Sequence, residues 1–184
     1  MKTNTDIIKN TQNGIAPRFL IMDDDSIVTT LFKRHFETHF PDAEIDCVNK
    51  PEAEPGYDVY FIDNDFGGRR LARQIADEIR RFQPNAFIVT LSLTIDFHQL
   101  RELVNSGCNA VYSKNTPDSS VDVRKAIREY LIAKEEAATL EKSGKTINFT
   151  LQSITSLIRQ WNRRLQTNLD AKAYDASRDS QPKL

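Results

Sequence analysis

FLIMDDDS (residues 19–26) is an apolar run that ends in three consecutive aspartates. Such a run is typical of a short buried strand whose last residues form an acidic edge. Adjacent carboxylates repel each other, and burial of one without a partner would cost several kcal/mol or force it to take up a proton. Because hard divalent cations prefer carboxylate oxygens, the stretch predicts a Mg²⁺-type site at the carboxyl end of a strand.

Apolar runs and amphipathic segments alternate along the chain after this stretch. The predicted strands cover residues 19–23, 43–48, 57–63, 86–92 and 110–113. The predicted helices cover residues 26–39, 69–82, 95–105 and a long segment from 121 towards 142. Strands that alternate with helices at this spacing predict an α/β fold, a doubly wound five-stranded parallel sheet with helices on both faces.

The connection between the second and third predicted strands is unusually short. Residues 49–56 are all that separate the two strands, and they include Pro51 and Pro55. A parallel crossover usually takes about a dozen residues or more. We therefore expect the second helix to be a single turn or absent, which would leave part of one sheet face for another segment to cover.

Length, charge and cysteine content limit the class of protein. The 184 residues are enough for one domain and an appendage, and the net charge of −1 argues against an electrostatic scaffold for nucleic acid. The two cysteines, Cys47 and Cys108, are most simply free thiols in a reducing compartment. No signal peptide and no run long enough to span a bilayer are evident. We expect a cytoplasmic protein that binds neither membranes nor nucleic acid.

The composition divides the chain into four parts. Residues 1–17 are polar and predict a disordered N-terminal arm, and residues 18–142 form the main domain with an extended last helix. A break at Ser143-Gly144 precedes an amphipathic helix at residues 146–169, and residues 170–184 predict a flexible tail.

A narrow apolar seam runs along this C-terminal helix. Its members recur at steps of 4, 3, 4, 3 and 4 and are Ile147, Leu151, Ile154, Ile158, Trp161 and Leu165. The pattern is compatible with a helix that forms a homodimer or binds a partner protein. It is equally compatible with a helix that folds back over the sheet face left by the short crossover, because three heptads are too few to decide.

Polar residues that are distant in sequence should meet at one edge of the sheet. In doubly wound folds the binding site lies beyond the carboxyl ends of the strands. Those ends carry Asp23, Asp24, Asp63, Ser92 and Lys114. The sequence thus predicts a site built from two acidic strand ends, a hydroxyl and a lysine.

Four short motifs in this order resemble the bacterial response-regulator receiver domain, in particular the single-domain chemotaxis regulators. They are the acidic group Met22-Asp23-Asp24-Asp25, Phe61-Ile62-Asp63, Thr90-Leu91-Ser92 and Ser113-Lys114. The resemblance covers roughly two thirds of the chain and is specific as an ordered set rather than in any single motif. It implies a flavodoxin-like receiver fold for the main domain.

The resemblance also implies a function, phosphoryl transfer to Asp63 in a two-component phosphorelay. Asp23, Asp24, Asp63 and the backbone carbonyl of Asp65 would hold Mg²⁺, whose charge makes the carboxylate usable as a nucleophile. A histidine kinase or a phosphotransfer protein would supply the phosphoryl group. The output would pass through protein contacts, because the C-terminal part is too short for an enzymatic or DNA-binding domain.

Two further residues have roles implied by the resemblance. Lys114 would pair with Asp63 at rest and with a phosphoryl oxygen after transfer, and the Ser92 hydroxyl would bind another phosphoryl oxygen. The protein would then be a phosphoacceptor and not an enzyme that acts on other molecules.

Several positions depart from the receiver pattern. Leu93 stands where a small residue is usual, which would narrow access to the site. Val111 occupies the position of the switch aromatic, and Tyr112, one place later, should point to the opposite face of the strand. Asn115 replaces a proline, so the cis peptide bond typical there is not expected.

Other interpretations remain for these residues. One is a phosphorylation-independent interaction or dimerisation module on a receiver scaffold. A second reads Asp23-x-Asp25, Ser92 and Lys114 as motifs of a haloacid-dehalogenase-like phosphatase, but no acidic pair follows the lysine. His35 and His39 have a metal-compatible spacing on one helix face, although a place in the core or at its rim is favoured.

Overall fold

The computed structural model describes residues 16–93, 97–115 and 121–142. The N-terminal arm predicted for residues 1–17 therefore lies almost entirely outside the described residues. The amphipathic helix predicted at 146–169, with its seam from Ile147 to Leu165, and the tail at 170–184 also lie outside them.

The described residues form five strands and four helices. The strands are β1 (Arg18–Met22), β2 (Glu44–Val48), β3 (Val59–Asp63), β4 (Phe87–Ser92) and β5 (Ala110–Ser113). The helices are α1 (Ser26–His39), α2 (Ala72–Phe82), α3 (Phe97–Asn105) and α4 (Val121–Lys142). All strand pairs are parallel, in the order β2-β1-β3-β4-β5. The prediction of a doubly wound five-stranded sheet is confirmed.

The two faces of the sheet carry separate apolar clusters because successive side chains on a strand alternate in direction. Phe19, Phe61 and Tyr112 belong to the cluster beneath α1 and α4, and the ring of Phe36 stacks on that of Phe61 at 4.0 Å. The opposite cluster includes Leu20 together with α2 and α3 residues. Every residue of β3 and β4 is buried, as expected for central strands covered on both faces.

The short crossover contains no helix within residues 49–58, as its length predicts. Beside it, side chains of β1 and β2 contact Tyr57. That another segment covers this sheet face stays a prediction, because the helix predicted at 146–169 lies outside the described residues. The Arg18 guanidinium lies 4.4 Å from the centre of the Tyr57 ring and 3.3 Å from Asp46, and it also pairs with Glu44 at 3.7 Å. These contacts connect the first two strands to the segment that leads into β3.

A half-buried arginine, Arg80, connects α2 to the segment that precedes β5. Arg80 donates to the carbonyls of Gly107 (3.2 and 2.5 Å), Ala86 (2.6 Å) and Pro84 (3.0 Å) and to Oδ1 of Asn109 (2.8 Å). A guanidinium can satisfy this many acceptors because its donors are fixed in one plane. The contacts hold the amino-terminal sides of β4 and β5 in place, opposite the edge that carries the polar strand ends.

None of the helices in the described ranges combines the length and the apolar character needed to cross a membrane.

Candidate functional site

The carboxyl ends of the strands surround one cleft of about 680 Å³. Asp23 follows β1, Asp63 ends β3, Ser92 ends β4 and Lys114 follows β5. These four residues and Asp24 all line the cleft. The fold therefore brings together the residues that the sequence places at strand ends.

Lys114 is the centre of charge in this cleft. Its Nζ lies 2.6 Å from Oδ2 of Asp23 and 2.7 Å from Oδ1 of Asp63. Both acids are buried, with 1% and 3% of their surface exposed. The backbone N–H of Lys114 donates to the carbonyl of Ser92 at 2.8 Å, so the ends of β4 and β5 are joined beside the ion pairs.

One ammonium between two buried carboxylates leaves surplus negative charge, and the pKa values reflect this. Burial raises the pKa of Asp63, and the charge of Asp23 adds to the rise, although Lys114 and the backbone N–H of Asp65 oppose it. Burial alone would lower the pKa of Lys114, but its contacts with Asp23 and Asp63 outweigh burial and raise it. Lys114 therefore stays protonated, and a further cation beside Asp63 would stabilise the ionised form of this carboxyl group.

The residues present fit a divalent cation. Asp23, Asp24 and Asp63 each offer a carboxylate oxygen, and these oxygens lie within 4.8 Å of one another. The contact with Lys114 is the only one that the described residues give Oδ2 of Asp23, which is buried. Hard oxygen donors of this kind suit Mg²⁺. Asp65, the residue expected to contribute its backbone carbonyl, lines the same cleft.

Asp25 has a different role from its two neighbours. Its Oδ1 accepts from the backbone N–H groups of Ile27 (2.8 Å) and Val28 (3.4 Å), so it caps the first turn of α1. Its own N–H donates to Oδ1 of Asp23 at 3.0 Å. Caps of this type stabilise a helix by about 1 kcal/mol. The third aspartate therefore fixes the helix start and orients the first.

The loop after β3 turns at Gly67-Gly68, as the sequence predicts, but the turn is a hairpin that the sequence interpretation missed. Phe66 and Arg69 exchange two backbone hydrogen bonds of 2.9 Å across Gly67 and Gly68, whose φ angles are 56° and 77°. The N–H of Gly67 donates to Oδ2 of Asp24 at 2.9 Å. Positive φ at both central residues is the hairpin geometry that a Gly-Gly pair favours, so the pair itself was the available signal.

The turn explains why α2 begins later than predicted. The sequence pattern placed the helix start at Arg69, but that residue is paired with Phe66 and the helix begins at Ala72. Of the two intervening residues, Arg70 lines the cleft beside the acidic residues.

Among the positions that depart from the receiver pattern, Leu93 lies at the cleft. Leu93 is 61% exposed and lines it, and its carbonyl accepts from Nδ2 of Asn115 at 3.0 Å. The peptide bond between Lys114 and Asn115 is trans. The expected narrowing of the site by Leu93 stays a prediction.

Tyr112 points away from Val111, as the strand parity predicts. Its ring is fully buried between α1 and α4, whereas Val111 is half-buried. The Tyr112 hydroxyl accepts from Arg124 at 2.9 Å and lies 2.6 Å from Nε2 of His35. The His35 ring packs on His39 at 4.6 Å, in accordance with a place at the rim of the core.

No protein-family model matches the sequence, and a comparison with curated proteins gives no match. Solved structures do resemble it. A CheY-like response regulator receiver domain protein from Methanospirillum hungatei is 19% identical, with a TM-score of 0.55 over 66% of this chain and 98% of that one. A response regulator receiver domain protein from Clostridium thermocellum is 19% identical, with a TM-score of 0.54 over 65% and 97%.

A further similar structure is the BeF3-activated DrrB receiver domain, which is 15% identical with a TM-score of 0.54 over 62% of this chain and 99% of that one. Identities this low establish the fold alone. The described part of the chain has the fold of response-regulator receiver domains. Each of these three structures is covered almost completely by this chain, so the likeness extends over the whole receiver fold.

Proposed function

We propose that this protein is a response-regulator receiver that accepts a phosphoryl group on Asp63 and passes the signal on through protein contacts. The observation that carries the proposal is the Lys114 ammonium held between two buried carboxylates, with Asp24 beside them. The receiver fold places this group at the sheet edge where such folds bind their ligands.

In the proposed reaction an oxygen of Asp63 attacks phosphorus and forms an acyl phosphate. The bond that breaks is the P–N bond of a phosphohistidine on a kinase or phosphotransfer protein, and the leaving imidazole takes up a proton. Asp63 must be ionised to attack, and Lys114 favours that form against the effect of burial on its pKa. When bound by Asp23, Asp24, Asp63 and the carbonyl of Asp65, Mg²⁺ would supply the additional positive charge.

After transfer, Lys114 and the Ser92 hydroxyl each bind a phosphoryl oxygen. The hydrogen bond between the Lys114 N–H and the Ser92 carbonyl makes the ends of β4 and β5 move together. Such a movement changes the surface formed by α3, β5 and α4, which we propose as the output surface for a partner protein. The proposed role is signal transduction in a phosphorelay. The proposed location is the cytoplasm, a reducing compartment in which Cys47 and Cys108 stay free thiols.

A second candidate is a receiver-like interaction module that works without phosphorylation. It is favoured by three specific contacts that hold the switch region in one arrangement. Asn115 ties the β5–α4 connection to Leu93, and Tyr112 is bound by both His35 and Arg124. In the receiver pattern an aromatic side chain at this position of β5 rotates on switching, but here the position is occupied by Val111.

Beryllofluoride distinguishes the two candidates because it mimics a phosphoryl group on an aspartate. In amide NMR spectra with Mg²⁺, its addition should shift the resonances of Ser92 and Lys114. The same addition to the Asp63→Asn variant should change neither. A wild-type spectrum that does not respond would leave the phosphorylation-independent module as the better account. Hydrolysis of phosphoesters under saturating Mg²⁺ would instead support a phosphatase.

A further inference from the structure

A second cation lines the cleft in addition to Lys114. Arg70 shares the cleft with Asp63 and Ser92. Among the described residues that line it, five are aspartates, whereas Arg70 and Lys114 alone carry a permanent positive charge. The charge balance of the cleft therefore depends strongly on these two residues.

The two cations differ in how they are engaged. Lys114 is already paired with both Asp23 and Asp63, at 2.6 and 2.7 Å. The Arg70 guanidinium makes no hydrogen bond or ion pair with another described residue, and its side chain is exposed. Arg70 is thus the cation in the described part of the cleft that is available to an incoming anion.

The backbone of Arg70 is held in a defined place. It directly follows the hairpin of Phe66–Arg69, whose Phe66 is buried in the apolar cluster and whose Gly67 is bonded to Asp24. It precedes Leu71, whose carbonyl accepts the first hydrogen bond of α2 from Ile75 at 3.0 Å. Because the backbone on both sides of Arg70 is held by these contacts, its side chain extends to the cleft from a defined position.

We propose that Arg70 binds the nonbridging phosphoryl oxygens of the donor before the group is transferred to Asp63. This inference rests on the proposed phosphoacceptor function. A phosphoryl group on a donor is an anion, and it approaches a cleft with surplus carboxylate charge. A planar guanidinium can bind two of its oxygens at once, which a lysine cannot do. Arg70 takes no part in bond making: the new bond joins Asp63 to phosphorus as the bond to the donor breaks.

The test compares Arg70→Gln with Arg69→Gln. Both variants lose one positive charge at adjacent positions, but Arg69 lines neither the cleft nor the neighbouring cavity between α2 and α3. Initial rates of phosphorylation are measured with Mg²⁺ against the concentration of acetyl phosphate. Arg70→Gln should lower the second-order rate constant about tenfold, the loss expected for one charge-assisted hydrogen bond at an exposed position. The variant should need a higher donor concentration for half-maximal rate, while its maximal rate stays the same. Arg70→Lys should restore part of the lost rate constant.

Salt concentration and donor type complete the test. The loss should persist at about 0.5 M salt, where effects of distant charges are screened. It should also appear with a phosphohistidine donor protein, because acetyl phosphate and phosphohistidine share the phosphoryl group. Equal losses in both variants, a loss that disappears in salt, or a loss confined to the protein donor would overturn the inference.

Failure of the inference and failure of the proposed function give different results. If wild-type protein is phosphorylated and Arg70→Gln reacts as fast, only the role of Arg70 is wrong. If wild-type protein is not phosphorylated and does not respond to beryllofluoride, the proposed function fails and the inference fails with it. Wild-type protein, Arg70→Gln and Arg69→Gln should have equal urea midpoints because both arginines are exposed. Equal midpoints show that the substitutions do not affect folding.

Discussion

Replacement of Lys114 by methionine removes the positive charge from the centre of the site and keeps much of the apolar stem. Asp23 and Asp63 are almost fully buried and both rely on this ammonium. Removal of one partner from a buried ion pair typically costs roughly 3–5 kcal/mol, because the other charge is left without compensation. We expect the free energy of unfolding to fall by about 3 kcal/mol at neutral pH. This is the lower end of that range, because the remaining carboxylates can take up a proton.

The loss should depend on pH in a defined direction. The pKa of Asp63 is already raised in the folded protein, and removal of Lys114 raises it further. A carboxyl group whose folded pKa exceeds its unfolded pKa makes the fold less stable as the pH rises through that range. The deficit of Lys114→Met is therefore greatest at neutral pH and shrinks in acid. Mg²⁺ should recover part of it at neutral pH, since it replaces the missing charge at the same carboxylates.

Urea denaturation at about pH 7.5 and about pH 5, with and without Mg²⁺, measures this deficit. Lys125→Met is the matched control: Lys125 is exposed and lies 4.0 Å from Glu129 on the same helix. The control should lose no more than about 0.5 kcal/mol under every condition. A Lys114→Met deficit below about 1 kcal/mol, or one that neither pH nor Mg²⁺ alters, would refute the description of the site as a buried cluster with surplus negative charge.

Three further predictions concern the site loop, the core and the C-terminal seam. Gly67→Ala should lower the free energy of unfolding by about 1 kcal/mol and Gly67→Asn by less, because Asn tolerates positive φ better; equal losses in urea titrations would contradict the hairpin. Arg80→Lys should lower the free energy of unfolding by about 2 kcal/mol in the same assay, since a lysine leaves part-buried carbonyls without donors; a change below about 0.5 kcal/mol would contradict this. Ile158→Asp should abolish self-association in sedimentation experiments, whereas a wild-type monomer with Trp161 shielded from quenchers would favour the fold-back arrangement.

Much of the fold was predictable because its determinants are local. Helix α1 begins and ends at the residues predicted, Ser26 and His39, because Asp25 caps its start and Pro41 follows its end. The central strands were evident as continuous apolar runs. The face to which Tyr112 points followed from the two-residue period of a strand.

The features that escaped prediction depend on tertiary geometry. The contacts of Arg18 with Tyr57 and Asp46 join three segments of the chain, and the spacing of these residues in the sequence does not predict them. The bond from Gly67 to Asp24 likewise joins residues that only the folded sheet edge brings together. The Gly-Gly pair could have indicated a hairpin, but its contact with a candidate metal ligand could not have been read from the sequence. The partners of the Tyr112 hydroxyl escaped prediction for the same reason.

Mass spectrometry after incubation with acetyl phosphate and Mg²⁺ tests the central claim most directly. The intact protein should gain one phosphoryl group, and trapping of the acyl phosphate with borohydride followed by peptide analysis should place it on Asp63. Asp63→Asn should remain unmodified, and chelation of Mg²⁺ should prevent the reaction in wild-type protein. An unmodified wild-type mass, or a phosphoryl group on any other residue, would contradict the account.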